Sequence, residues 1–421
     1  MRRRQFITYG GLALLSACTA GNEAPKNSPA QITFWTMQLK PTFEQYMTGV
    51  IQEFTNQNPN AEVQWVDVPW AEMETKILGA IASNSAPDVV NLNPQFASKL
   101  AERNALVDMA QFLPPDQQSL YFPNLWRANQ LNGTTFALPW YVATDITIYN
   151  RQLFTKAGLN PDQPPRTYAE LQTVSRQIRD RTGKYAFLLT MDGGQVLESM
   201  VQMGMTLLTP EGKAGFNTPA GESAFAYWVE LFHQGLVPRE ILTEGHRKAI
   251  ALYQAGEIAI LLTGPQFLQM VAENAPDIAK VTDVAPQITG STGKKSAAVM
   301  NVAVPITSPH RELAVKFAQF LTNDQNQLKF AQLRNILPST VKAAQDNYFR
   351  KVKANPSLSD RARVISASQL AQAEVLIPPV QGIDNLRRII YDELQLAMLR
   401  QKTVKEAIAS AEQRWNERQK S

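Results

Sequence analysis

Short runs of β-forming residues alternate with runs of helical periodicity along most of this chain, and that alternation confines it to the α/β class. Gln31-Ile32-Thr33-Phe34-Trp35-Thr36 alternates and is rich in β-branched and aromatic side chains, which predicts a strand. A helix over Met47–Phe54 then stops near Asn58-Pro59. Ala61–Val68 is a second strand, Glu72–Ile81 a second helix, and Pro87–Leu92 a short buried strand. Further strands are expected at Ile146–Tyr149, Glu257–Leu262 and Ala297–Val304. Thr167 and Glu170 make a capping box ahead of the apolar stripe Leu171, Val174 and Ile178. Pro219 opens a helix lined by Phe225, Trp228, Val229 and Phe232, with Gly235 at its end. Ser308-Pro309 opens another, and the C-terminal region reads as mostly helical, with Leu386, Ile389, Ile390 and Leu394 at helical spacing. Such βαβ units imply a largely parallel sheet.

The 421 residues, 44% of them hydrophobic, hold enough apolar material for two to three domains. The first thirty residues have a different character. Arg2-Arg3-Arg4 precedes an apolar stretch over Ile7–Leu15 and then small residues, the order of an export leader that is too short to span a bilayer. Arg3-Arg4-Gln5-Phe6-Ile7 resembles the twin-arginine pattern, so general secretion and twin-arginine export both stay open. Leu15-Ser16-Ala17-Cys18 resembles the bacterial lipobox, which implies cleavage before Cys18 and acylation of its thiol. Residues 1–18 are thus expected to be a signal peptide, and polar residues 19–29 a flexible tether.

Removal of Arg2, Arg3 and Arg4 leaves 38 basic against 37 acidic side chains, a charge of +1. A nucleic-acid surface would need clustered cations, so no nucleic-acid partner is expected. Cys18 is the only cysteine, which excludes an intramolecular disulfide and a cysteine metal site. His233, His246 and His310 lack metal-pair spacing, and neither a metal nor a cofactor is expected.

Five segments, in order, resemble the extracellular solute-binding proteins of the maltose-binding-like group. Pro87-Asp88-Val89-Val90 is similar to the family's "PDvv" strand. Leu138–Asp145, running into Tyr149-Asn150-Arg151-Gln152-Leu153-Phe154 and Ala157-Gly158-Leu159, resembles "P-x-y…YNkdLFkkaGL". Pro164–Leu171 resembles "PkTWdEl", Ala255–Ala259 with Thr263-Gly264-Pro265 resembles "G-eaAm…tGpw", and Ser308–Leu321 resembles "S-x-x-x-x-AxxFxxFL". The resemblance implies a two-lobe, type II-like periplasmic-binding-protein fold whose discontinuous lobes are joined by crossing hinge strands. One lobe would comprise 30–142 plus 264–304, the other 143–263 plus 305–421. It further implies a monomeric receptor outside the cytoplasmic membrane, held there by lipid on Cys18. That receptor would bind a sugar in the interlobe cleft and hand it to the membrane subunits of an ABC permease.

A sugar site needs carboxylates or amides for paired hydrogen bonds and flat rings for the C–H faces. Trp35, at the end of the first strand, reads as a cleft wall or a core aromatic, and Gln38 faces the cleft mouth or solvent. Asn91, Asn93 and Gln95 follow the "PDvv" strand where the family places ligand contacts, or serve the turn around Pro94. Trp140, Tyr141, Thr144 and Asp145 fall where the chain should cross between lobes, with Tyr141 and Asp145 the leading candidates. Gly264-Pro265-Gln266 replaces the family's Gly-Pro-Trp, losing a stacking ring and adding an amide. Asn301 and Asp192 complete the candidate ligand contacts. The alternatives are the same fold carrying another polar solute, a tethered solute sensor, and a glycoside hydrolase. No nucleophile elbow, P-loop or paired-carboxylate signature supports catalysis.

Overall fold

A computed structural model describes residues 29–191, 193–334, 336–377 and 379–418. Asp192 and Cys18, with the rest of the leader and tether up to residue 28, lie outside these.

The first three strands, Ala30–Met37, Ala61–Val68 and Val89–Leu92, form where the alternating runs predict, and they are parallel. The next neighbours are not. Strand Lys295–Ala303 runs antiparallel to Val89–Leu92, and Leu138–Thr144 runs antiparallel to Lys295–Ala303. A second sheet orders Ile260–Thr263, Ile146–Asn150 and Thr282–Pro286, all antiparallel. The expected largely parallel sheet is therefore mixed, because strands that arrive from the other lobe enter against the local direction.

Each sheet carries its own core. Ile32, Phe34, Val89, Trp140, Val299, Phe317 and Phe330 pack on one face of the first sheet, and Met37, Val90, Leu92, Ala97 and Met300 on the other. Ile146, Ile148, Phe187, Trp228, Leu261, Val284 and Leu394 form the core of the second lobe. Burial on both faces explains why the central strands read as continuous apolar runs.

The cores divide the chain differently from the expected boundaries. Leu268, Val271, Val284 and Ile288 belong to the second core, while Phe317, Phe330, Phe349 and Leu370 belong to the first. Strand Thr282–Pro286 pairs with Ile146–Asn150, so the second crossing comes after residue 286 instead of at 264. Phe317 sets its ring 5.3 Å from that of Phe34, which holds helix Arg311–Leu321 on the first sheet. Helix Leu358–Gln369 reaches the second core through Ala362, the chain touches the first sheet again at Ala373–Glu374, and helix Ile383–Met398 then packs in the second lobe.

Local signals held well. Thr167 caps its helix through the Glu170 N–H at 3.2 Å, although the Glu170 carboxylate accepts from Arg166 N–H (2.7 Å) and not from the cap itself. Asp88 of the "PDVV" run is buried and accepts from Thr33 N–H at 2.8 Å and Ser308 Oγ at 2.5 Å. That motif ties the first strand to the loop after Lys295–Ala303, a scaffold role. Among the described residues no helix is long and apolar enough to cross a membrane.

Candidate functional site

Asp145 is the single residue between the end of strand Leu138–Thr144 in one sheet and the start of Ile146–Asn150 in the other. The other two crossings are stitched to it. Gln369 donates from Nε2 to the Asp145 carbonyl (3.1 Å) and accepts from Gln287 N–H (2.7 Å). Gln287 in turn accepts from Ser296 N–H through Oε1 (2.8 Å) and from Lys295 Nζ through its carbonyl (2.5 Å). Thr144 Oγ1 donates to the Ser366 carbonyl at 3.3 Å. Three stretches of backbone thus meet at one amide network that ties the crossings together.

The Asp145 carboxyl takes no hydrogen bond from a described residue. Beside it lies Glu198, in the first turn of helix Gln195–Gln202, whose Oε2 accepts from Ser296 Oγ at 2.8 Å. Burial, and then the negative charge of Glu198, push the Asp145 carboxyl up to about 7. Burial also raises Glu198, opposed by its Ser296 hydrogen bond and by the Arg387 charge. The pair is a half-buried acidic spot with unused acceptor capacity, suited to the hydroxyls of a polyol.

The sign of the pH effect follows. Between the ordinary carboxylate value near 4 and about 7, folded Asp145 keeps a proton that the unfolded chain has lost, so its effect on stability worsens as pH rises through that window. Asp145→Asn should therefore come closest to the parent's melting temperature at about pH 4 and exceed it at pH 8. Equal melting temperatures at both values would contradict this.

The remaining candidates separate into three groups. Tyr141 lies three strand positions before the crossing end, half-buried, its ring edge-on to Trp140 (5.2 Å) and Phe330 (5.3 Å). Burial, and secondarily Asp67, raise its hydroxyl, so it stays protonated as a donor. Gln38 is exposed just past the first strand, at φ +51°, with Oε1 accepting from Trp70 N–H at 3.2 Å. Gln95 donates to Asp384 of the second lobe at 3.1 Å. Gly264 and Pro265 are buried and Gln266 is exposed, its amide folded back over Gly264 where a Cβ would stand.

Others serve the scaffold. Trp35 sits two residues inside the strand end and packs on the first lobe's core. Trp140 is fully buried and stacks on Phe330 at 4.9 Å. Asn91 is fully buried and donates to the Asn301 carbonyl (3.1 Å). Asn93 caps helix Pro94–Ala101 through the Phe96 N–H at 2.8 Å. Thr144 is buried in the crossing network.

Asn301 is a third case. It stands opposite a bulge at Trp140, 1% exposed, with both atoms of its side-chain amide unpartnered. An unmet buried amide is costly, and a bulge is a common device for aiming a side chain at a site.

Glu198, Trp70 and Arg387 were not foreseen. Trp70 is 45% exposed directly after the second strand. Its position at a strand end was visible in the sequence. Glu198 lies in the first turn of the helix after Gly193-Gly194, six residues beyond the candidate Asp192 in the sequence. Among the described residues no group of three or more His, Cys, Asp or Glu is placed to hold a metal ion.

The sequence profile of the bacterial extracellular solute-binding proteins matches residues 40–328. A candidate oligosaccharide periplasmic-binding protein from Synechococcus sp. MITs9220, solved in complex with zinc, is 41% identical. The match covers 92% of this chain and 98% of that one, with a TM-score of 0.85. The cyclic alpha-maltosyl-1,6-maltose binding protein of Arthrobacter globiformis shares the fold at TM-score 0.80 and 21% identity, over 92% of this chain and 98% of that one. The arabinooligosaccharide-binding protein of Bacillus subtilis (strain 168) is 22% identical over 317 residues, 73% of this chain and 72% of that protein. With its profile, its two-lobe fold and its crossing strands in agreement, this chain belongs to the bacterial extracellular solute-binding protein family.

Proposed function

We propose that this chain is the solute receptor of an ABC importer, that its solute is a sugar, mono- or oligosaccharide, and that the sugar is held between the lobes at the three-way crossing. The observation that carries this is the Asp145 carboxyl, at the pivot yet unpaired, with Glu198 and Ser296 beside it. On the same strand Tyr141 supplies a half-buried ring and a hydroxyl, Asn301 an unused amide, and Gln38 with the exposed Trp70 ring a rim on the first lobe. Relatives whose names specify oligosaccharides favour this solute class. The open and closed forms exchange, and a solute touching both lobes stabilises the closed one, which the permease reads. No bond in the solute is broken.

Lipid on Cys18 would hold the receptor on the outer face of the cytoplasmic membrane, two acyl chains giving stable attachment where one does not. Cys18→Ser should then appear in the soluble fraction.

The direct test is a thermal-shift screen over mono- and oligosaccharides. A sugar at about 100 times its Kd should stabilise the fold by roughly 2.7 kcal/mol, and chromatography should recover it intact. Hydrolysed sugar would replace the receptor reading with a glycosidase, and a panel without any shift would remove sugars as the solute class.

A further inference from the structure

The two lobes touch at a second place, away from the crossing network. Asp384, in the first turn of helix Ile383–Met398, belongs to the second lobe. It accepts from Gln95 Nε2 at 3.1 Å and pairs with Lys99 Nζ at 3.1 Å, both from helix Pro94–Ala101 of the first lobe. Lys99 also pairs with Glu74 at 2.5 Å, which anchors the cation to its own lobe. One residue beyond that helix, Glu102 accepts the Gly382 N–H at 3.2 Å, at the cap of helix Ile383–Met398. Gly382 stands at φ +77°, so its amide is presented by a backbone shape that glycine adopts freely. The Glu102 carboxylate also meets the positive end of that helix. Arg387, from the next turn, pairs with Asp384 at 2.9 Å.

We propose that this cluster is a latch, in which Gln95, Lys99 and Glu102 of one lobe grip the first turn of helix Ile383–Met398 in the other and set how much of the receptor is closed before any solute arrives. Solute affinity is then tuned from outside the solute's own contacts, since stabilising the binding-competent form raises apparent affinity by the gain in its population. This consequence for affinity rests on the receptor reading above, whereas the latch itself does not. Lys99 and Asp384 are 30% and 36% exposed, so the pair is screened by salt and the latch loosens as ionic strength rises.

Hydrogen exchange of the Gly382 amide in the full chain without sugar reads the latch. The variant is Lys99→Met with Gln95→Ala, because both changes lie in the first lobe and leave the chemistry of helix Ile383–Met398 untouched. Exchange at Gly382 should speed up about five- to ten-fold in the variant and in the parent at 1 M salt. Glu102→Gln should speed it too, while amides of strand Leu138–Thr144 keep the parent rate. Lys99→Arg with Gln95 retained should restore slow exchange. Gly382 exchange unchanged by both the double substitution and salt would overturn the latch. Failure of the receptor reading would look different: these changes would persist while no sugar protected any amide.

Discussion

Asp145→Ala should weaken sugar binding about a hundred-fold, roughly 2.7 kcal/mol, while the fold survives. The carboxyl is half-buried and takes no hydrogen bond from a described residue. Its backbone carbonyl already holds Gln369, and that bond is independent of the side chain, so the pivot stays intact. A charge-assisted hydrogen bond to a buried hydroxyl is worth about twice a neutral one. Asp145→Asn, which keeps acceptor and donor atoms but loses the charge, should fall between, at about ten-fold. Calorimetry with the sugar found by the thermal screen decides it. Affinity within three-fold of the parent for Asp145→Ala would place the solute elsewhere. The two Asp145 effects oppose each other, since the group that serves binding lowers stability above pH 7, a trade seen where sites are built at the expense of the fold.

Trp140→Ala should cost about 3–5 kcal/mol of stability and leave the sugar affinity of the remaining folded protein nearly unchanged. The ring is fully buried, stacked on Phe330 at 4.9 Å and 6.3 Å from Phe34. Removing it hollows out the junction of three strands. Trp140→Phe, which keeps most of the ring volume, should lose about 1–2 kcal/mol. Chemical denaturation measures both. A stable Trp140→Ala protein that no longer binds sugar would make the indole a ligand platform and reverse its assignment to the core.

The two predictions turn on neighbouring residues that the sequence alone could not tell apart. Trp140, Tyr141 and Asp145 all fall in the segment where the chain crosses, and alternation along the strand decides which side chain is buried. A bulge at Trp140, opposite the step from Met300 to Asn301, shifts that alternation locally, and nothing in the composition announces it. Local features were readable. The first three strands, the Thr167 and Thr218 caps and the Asn93 turn chemistry all follow from contacts within a few residues. The lobe division was not readable in the same way. Whether residues 264–288 stay in the second lobe depends on strand Thr282–Pro286 finding Ile146–Asn150, a pairing of distant segments with no local signature. The latch is the extreme case, since Gln95 and Asp384 lie 289 residues apart. Trp70 differs again. It stands exposed after a predicted strand, a position as visible in the sequence as that of Trp35.

Small-angle scattering with and without the sugar tests most directly whether the lobes close over a sugar where they cross. The radius of gyration should fall when the sugar is added to the parent at saturating concentration, and the same concentration should leave Asp145→Ala in its unliganded shape. A sugar that binds the parent tightly with no change in its scattering would contradict closure as the binding mode.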